Sequence, residues 1–157
     1  MGTHDLLKRV MDERGFQQDF WRVRIRPGSP VSLGFLPRAD STPVPVFGLP
    51  GNPASAFVTF ELFVRPYIRA LAGHSDVHRP IVRAVAGESM RAPKDLTVFL
   101  RVSLSGDAAV PTANLTGPQG SGLVSSLGLA DGLAQINEGT DVIGPGQPVD
   151  VVLLRAP

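Results

Sequence analysis

Apolar and polar positions along the chain change rhythm several times, and each change marks an element. Between residues 3 and 15, Leu6, Leu7, Val10 and Met11 fall on one face at helical spacing, with Thr3 placed as N-cap and Gly15 as the stop. "DFWRVRIRPGSP" then alternates. Trp21, Val23 and Ile25 share one face of a predicted strand and Arg22, Arg24 and Arg26 the other, before Pro27 and Gly28 turn the chain. "PVSLGFL" predicts a second strand, "RADSTP" a polar loop, and "VPVFGL" a third strand, short and apolar. Helical spacing returns with Phe57, Phe60, Val64, Tyr67, Ile68 and Leu71 and stops at Gly73; Pro66, inside the run, is expected to kink it.

After Gly73 the pattern shortens. "HSDVHRP" reads as a polar linker. "PIVRAVAG", "LTVFLRVSL", "AAVPTANL", "LAQINEG" and "PVDVVLL" then predict short strands between turn residues, the spacing of a small all-β sandwich or barrel. The expected organisation is an α/β part over 1–73, a linker over 74–78 and a small all-β domain over 79–157. The α/β part has few strands and an edge without a partner, so it reads as the tail of a larger α/β domain.

Composition narrows the function. Hydrophobic residues make up 43% of the 157, enough for a buried core, and no cysteine is present, which excludes a disulfide scaffold and thiolate chemistry and fits a reducing cytoplasm. A net charge of +1 gives no global field for nucleic acid or a membrane surface, so an anion site must be local. No run approaches the roughly 20 apolar residues of a spanning helix.

Candidate chemistry concentrates at a few places. In "GLPGNP", Gly48 and Gly51 allow close approach to the backbone and Pro50 and Pro53 stiffen the turn. Asn52 stands as N-cap and Pro53 as the first helical residue, so free N–H groups open toward an anion, or the turn simply caps a packed junction. Arg22, Arg24 and Arg26 offer forked donors to an oxyanion, or form a solvated strand face. "TGPQGSG" (116–122) is either an anion-binding concavity completed by Ser121 or a plain turn. Arg101 interrupts an otherwise buried strand and so needs a structural partner or a ligand. Asp5, beside His4, either complements a helix dipole or binds a hard cation, while His74 and His78 lack metal-site spacing.

Together, "FWRVRIRPGSP", "VFGLPGNPASAFVTFELFVRPYIRAL" and "TGPQGSGLVSSLGLADGL" resemble the molybdopterin molybdenumtransferase (MoeA-like) family, whose eukaryotic relative is the gephyrin E domain. The likeness covers nearly the whole chain and matches the family's C-terminal end; the earlier domains have no counterpart. It implies the C-terminal part of a three-layer α/β molybdopterin-binding domain followed by a small β-sandwich or barrel. It further implies insertion of molybdate into adenylylated molybdopterin with release of AMP, assisted by Mg²⁺, in a cytoplasmic homodimer without nucleic-acid or membrane partners. Under this resemblance Asp5 matches a cation-binding aspartate, Arg22 and Arg26 stand where functional lysines are usual, and Ser29 replaces a usual lysine. Pro50, Asn52 and Pro53 match the family's turn, and Arg101 and Ser121 match positions of the molybdate site. The family's site draws on several domains, so this chain is expected to be inactive alone. The alternative is a non-catalytic anion- or pterin-binding or scaffold module.

Overall fold

The computed structural model describes residues 6–39, 41–120 and 125–155. Helix α1 (Leu6–Glu13) is followed by strands β1 (Gln17–Trp21), β2 (Ile25–Arg26), β3 (Ser32–Arg38) and β4 (Ser41–Gly48). β1, β3 and β4 form an antiparallel sheet in that order, and β4 begins inside the segment expected to be a polar loop.

The single strand expected across Phe20–Arg26 is broken in two. Arg22 adopts φ 76°, a left-handed angle that ends the period-two alternation. The Arg22 and Val23 amides then donate to the Val31 and Ser29 carbonyls, closing a loop from which β2 departs for a different sheet. The three arginines therefore share no strand face. Arg22 stacks 4.3 Å from the Trp21 ring centroid. Arg24 bonds the Glu138 carboxylate at 2.7 Å and the Asp95 carbonyl at 2.9 Å. Arg26 stays with β2.

The long helix runs as α2 (Pro53–Thr59), a π-helical turn (Phe60–Val64) and α3 (Arg65–Leu71). The break falls where Pro66 predicts one, as a wide turn. Pro66 has no N–H, and its ring crowds the carbonyl four residues back; widening the preceding turn, with the Arg65 N–H reaching Phe60 O, accommodates it. Tyr67 packs edge-on against Phe47 of β4, with centroids 5.3 Å apart, which ties α3 to the first sheet.

The second half holds β5 (Ile81–Ala86), β6 (Met90–Arg91), β7 (Thr97–Ser105), β8 (Thr112–Leu115), α4 (Ser125–Gly128), β9 (Gly132–Ile136), β10 (Val142–Ile143) and β11 (Pro148–Leu153). β7, β8, β5, β11 and β9 pair in sequence and β9 returns to β7, so the sheet closes as a barrel; β6 and β10 form a separate ribbon. Alternation sorts the side chains. Val98, Leu100, Val102, Ala134, Ile136, Val149 and Val151 fill the interior, while Phe99, Leu133 and Val152 point outward. Those outward residues are buried under Phe57, Val58 and Leu62 of the long helix. Each large apolar side chain buried there contributes about 1.5–3 kcal/mol. β2 adds to β7 in parallel, with Ile25 opposite Thr97 and Arg26 opposite Val98, so the halves share both a core and a sheet. A partly buried ion cluster adds to the junction: Arg79 holds the buried Glu61 through two bonds (2.8 and 3.2 Å), and Arg65 lies 3.7 Å from the same carboxylate.

Candidate functional site

The seam between the halves opens into a cavity of about 700 Å³. One wall is the turn Arg26–Pro30, carried by β2. Gly28 sits there at φ 111°, and a Cβ on it would run into the Thr59 methyl group, so only glycine lets the turn lie this close to α2. Ser55, buried in the first turn of α2, is the helix's contribution. The floor is apolar, from Val98, Phe99 and Leu100 of β7 with Leu96 and Pro93, and the far rim is formed by Arg91, Gln119 and Gly120.

β7 explains why space exists here. β2 pairs with its Thr97–Val98 end and β8 with Val102–Ser105, leaving Arg101 to be met by other groups. Gln119 meets it. Its side-chain carbonyl accepts from the Arg101 N–H at 2.8 Å and its amide donates to Arg101 O at 3.2 Å, so one side chain imitates a neighbouring strand. Arg101, 1% exposed, returns the contact: its Nη2 donates to Pro118 O (3.1 Å) and Gly120 O (3.2 Å). Burial holds the guanidinium below the usual arginine pKa, and its Nε has no partner among the described residues. Arg101 and Gln119 together clasp the 117–120 loop that forms the rim.

The expected site residues distribute unevenly. Arg26 and Ser29 line the cavity, and Arg101 stands behind its rim, bonded to Gly120. Pro50, Asn52 and Pro53 do not line it; their turn reaches it only through Ser55 of the helix they start. Asn52 occupies the N-cap position in extended backbone, with no side-chain cap bond. Arg22 lies away from the cavity, beside Trp21. Asp5 and Ser121 fall outside the described residues. Arg91, Ser55 and Gln119 were not singled out from sequence. Gln119 lies within "TGPQGSG", but its role needs Arg101 beside it in space.

Among the described residues no Asp or Glu lines the cavity, while Arg26 and Arg91 do. The described lining suits an oxyanion. Nor is there a group of three His, Asp or Glu side chains placed to hold a metal ion among the described residues, so no chemical step is assigned to Mg²⁺. No helix among the described residues is long and apolar enough to cross a membrane.

Comparison with known proteins agrees along the chain. Residues 1–70 match the family described as "Probable molybdopterin binding domain", and residues 83–154 match "MoeA C-terminal region (domain IV)". A molybdopterin molybdenumtransferase 2 of Mycobacterium tuberculosis is 35% identical over 155 residues, covering 96% of this chain and 36% of the relative. A molybdopterin molybdenumtransferase of Staphylococcus aureus is 29% identical over 156 residues, covering 99% and 36%. Among solved structures, a molybdopterin biosynthesis MoeA protein from Pyrococcus horikosii superposes with a TM-score of 0.73 at 31% identity, covering 97% of this chain and 35% of that one. The chain thus spans about a third of the length of the relatives it matches.

Proposed function

Because the chain belongs to the MoeA-like molybdopterin molybdenumtransferase family, whose C-terminal part it matches, we propose that it supplies the oxyanion-handling portion of a molybdenum cofactor synthesis site. The reaction is insertion of molybdate into adenylylated molybdopterin with release of AMP. The observation that carries this reading is the cavity between α/β part and barrel, lined among the described residues by no carboxylate, with Arg26, Ser29, Ser55 and the Gly120 loop edge around it. Arg26 supplies the charge and the Ser29 hydroxyl a donor, in a cleft whose apolar floor removes competing water. Arg101 keeps the rim in place.

The domain division at 1–73, 74–78 and 79–157 belongs to the same proposal, as do a cytoplasmic setting, a homodimer, and dependence on domains outside this chain. Calorimetric titration with molybdate tests the core of it: the chain binds molybdate, and Arg26→Ala weakens binding by about tenfold or more. An unchanged isotherm would remove Arg26 from the site. Molybdate-dependent AMP release is expected only when the family's other domains are present, and release by this chain alone would refute that dependence.

One observation favours a second reading, a non-catalytic anion- or pterin-binding or scaffold module. The Arg101 guanidinium, matched by resemblance to a molybdate-site position, spends its Nη2 on loop carbonyls instead of facing the cavity. Molybdate binding without AMP release in a protein that carries all the family's domains would select it.

A further inference from the structure

The barrel has a second opening, at the end away from the seam. β7 passes the seam cavity with Val98–Leu100 and ends at Ser105. At that far end Leu104 of β7, Leu153 of β11 and Val82 of β5 occupy inward positions, because Val102, Val151 and Ala84, two residues away on the same strands, lie in the barrel core. With Pro111 they line a cavity of about 370 Å³ that shares no residue with the seam cavity. Asp131 and Arg155, 37% and 60% exposed, complete the lining, so both can be reached from solvent.

Each of these two charged groups spends one arm on the fold. Asp131 Oδ2 accepts the Leu104 N–H at 2.9 Å, and Arg155 Nη2 donates to Gly128 O. The remaining arms, Asp131 Oδ1 and Arg155 Nη1, stand 3.9 Å apart, beyond hydrogen-bond length, and have no other partner among the described residues. An exposed pair at that separation adds little to stability, so a ligand that replaces the contact loses little. A plain cation entering here draws Asp131 but meets Arg155, and a plain anion meets the reverse. A ligand carrying both charges on one carbon satisfies the two spare arms together: its ammonium donates to Asp131 Oδ1 and its carboxylate accepts from Arg155 Nη1. A side chain on that same carbon can enter among Val82, Leu104 and Leu153, whose branched aliphatic groups suit an aliphatic one. The volume lies near the lower end of small-molecule sites, which fits a single compact ligand. We infer that the far mouth of the barrel binds a free aliphatic α-amino acid. This site is separate from the proposed oxyanion site and does not rest on it.

The test is a heteronuclear NMR titration of the full chain with leucine, isocaproate, isoamylamine and glycine at low salt. Isocaproate lacks leucine's ammonium, isoamylamine its carboxylate and glycine its side chain. Leucine is expected to shift the Leu104, Asp131 and Arg155 amides and to bind about tenfold or more tighter than each of the other three. Arg155→Gln should weaken leucine about tenfold and leave isoamylamine no weaker, since that ligand has no carboxylate for the guanidinium. Asp131→Asn keeps an acceptor for the Leu104 N–H; it should weaken leucine about tenfold and leave isocaproate no weaker. Unchanged thermal midpoints show that both variants fold, and the ligand series on the wild-type chain decides the matter without them. Leucine that leaves the three amides unmoved overturns the inference. So does a wild-type chain that binds isocaproate or isoamylamine as tightly as leucine, because the mouth then takes apolar chains without reading both charges. Neither result touches molybdate binding at the seam.

Discussion

Replacing Arg101 by methionine separates two roles that a buried arginine can combine. The change keeps an unbranched chain in place and deletes the Nη2 bonds to Pro118 O and Gly120 O. Hydrogen bonds to a charged group are worth roughly 1.5–3 kcal/mol each, so about 3–6 kcal/mol of interaction disappears. Against this, a guanidinium only 1% exposed, with its Nε unsatisfied and without a carboxylate partner among the described residues, carries a desolvation cost of several kcal/mol, and methionine removes it. Pro118 and Gly120 are exposed, so their carbonyls turn to water once released. The two terms offset, and Arg101→Met should shift stability by less than about 2 kcal/mol. Arg101→Ala also leaves a cavity and should cost about 2–3 kcal/mol more than the methionine variant. Urea unfolding measures both. Oxyanion binding should drop about tenfold in each variant, because the Gly120 rim is no longer held. A loss above about 4 kcal/mol in Arg101→Met would show that the arginine is a strut whose bonds outweigh its burial. Unweakened binding would show that the clasp does not shape the site.

Three further expectations follow from the same geometry. Glu61→Gln leaves Arg79 and Arg65, 24% and 20% exposed, without their shared anion; it should cost about 2–3 kcal/mol in urea unfolding, below the range for a fully buried pair. Gly28→Ala should cost about 2–4 kcal/mol through its left-handed angle and its collision with the Thr59 methyl group. Adding Thr59→Ser, which removes that methyl and keeps the hydroxyl bond to Ser55 O, should recover part of the loss; strict additivity would show that the two residues do not touch. Asp141 should titrate below the usual aspartate range, chiefly because of its bond to Lys94. A pKa lowered by folding stabilises above the unfolded value and loses that contribution as pH falls through the folded one, so the small effect fades below about pH 4. An NMR titration in which Lys94→Ala leaves the Asp141 midpoint unmoved would refute the assignment.

Much of the fold was legible because its signals are local. The run from Phe57 to Leu71 announces a helix through spacing, Pro66 locates its break, and the five barrel strands stand between turn residues. What stayed hidden depends on contacts distant in sequence. Nothing in "FWRVRIRP" signals that Arg22 takes a left-handed angle, since the alternation continues through it; the strand breaks because β7 offers Ile25 and Arg26 a better partner. The ribbon of β6 and β10 is two residues wide on each side, too short to leave a periodic trace. The site divides along the same line. Arg26 and the loop of Gly117–Gly120 were found because proline and glycine punctuate them, whereas Arg91 and the pairing of Gln119 with Arg101 exist only once the barrel has closed.

The position of the cavity follows from the barrel's incomplete edge. β7 is longer than either neighbour on that edge: β8 covers its end and β2 its beginning. A continuous neighbouring strand across Phe99–Arg101 would fill the gap and leave no room for a ligand. Here the Gln119 side chain meets the Arg101 N–H and shares the Arg101 carbonyl with Thr116 while its own loop bends away, so the hydrogen-bond requirement is met and the space is kept. β2 and Ser55 both come from the first half, and Arg91, Gln119 and the apolar floor from the second. The shared core of Val58, Phe99 and Leu133 sets the distance between these walls. Packing between the halves and the shape of the proposed anion site are therefore one quantity: a substitution that loosens α2 from the barrel should alter oxyanion affinity without touching a cavity-lining residue.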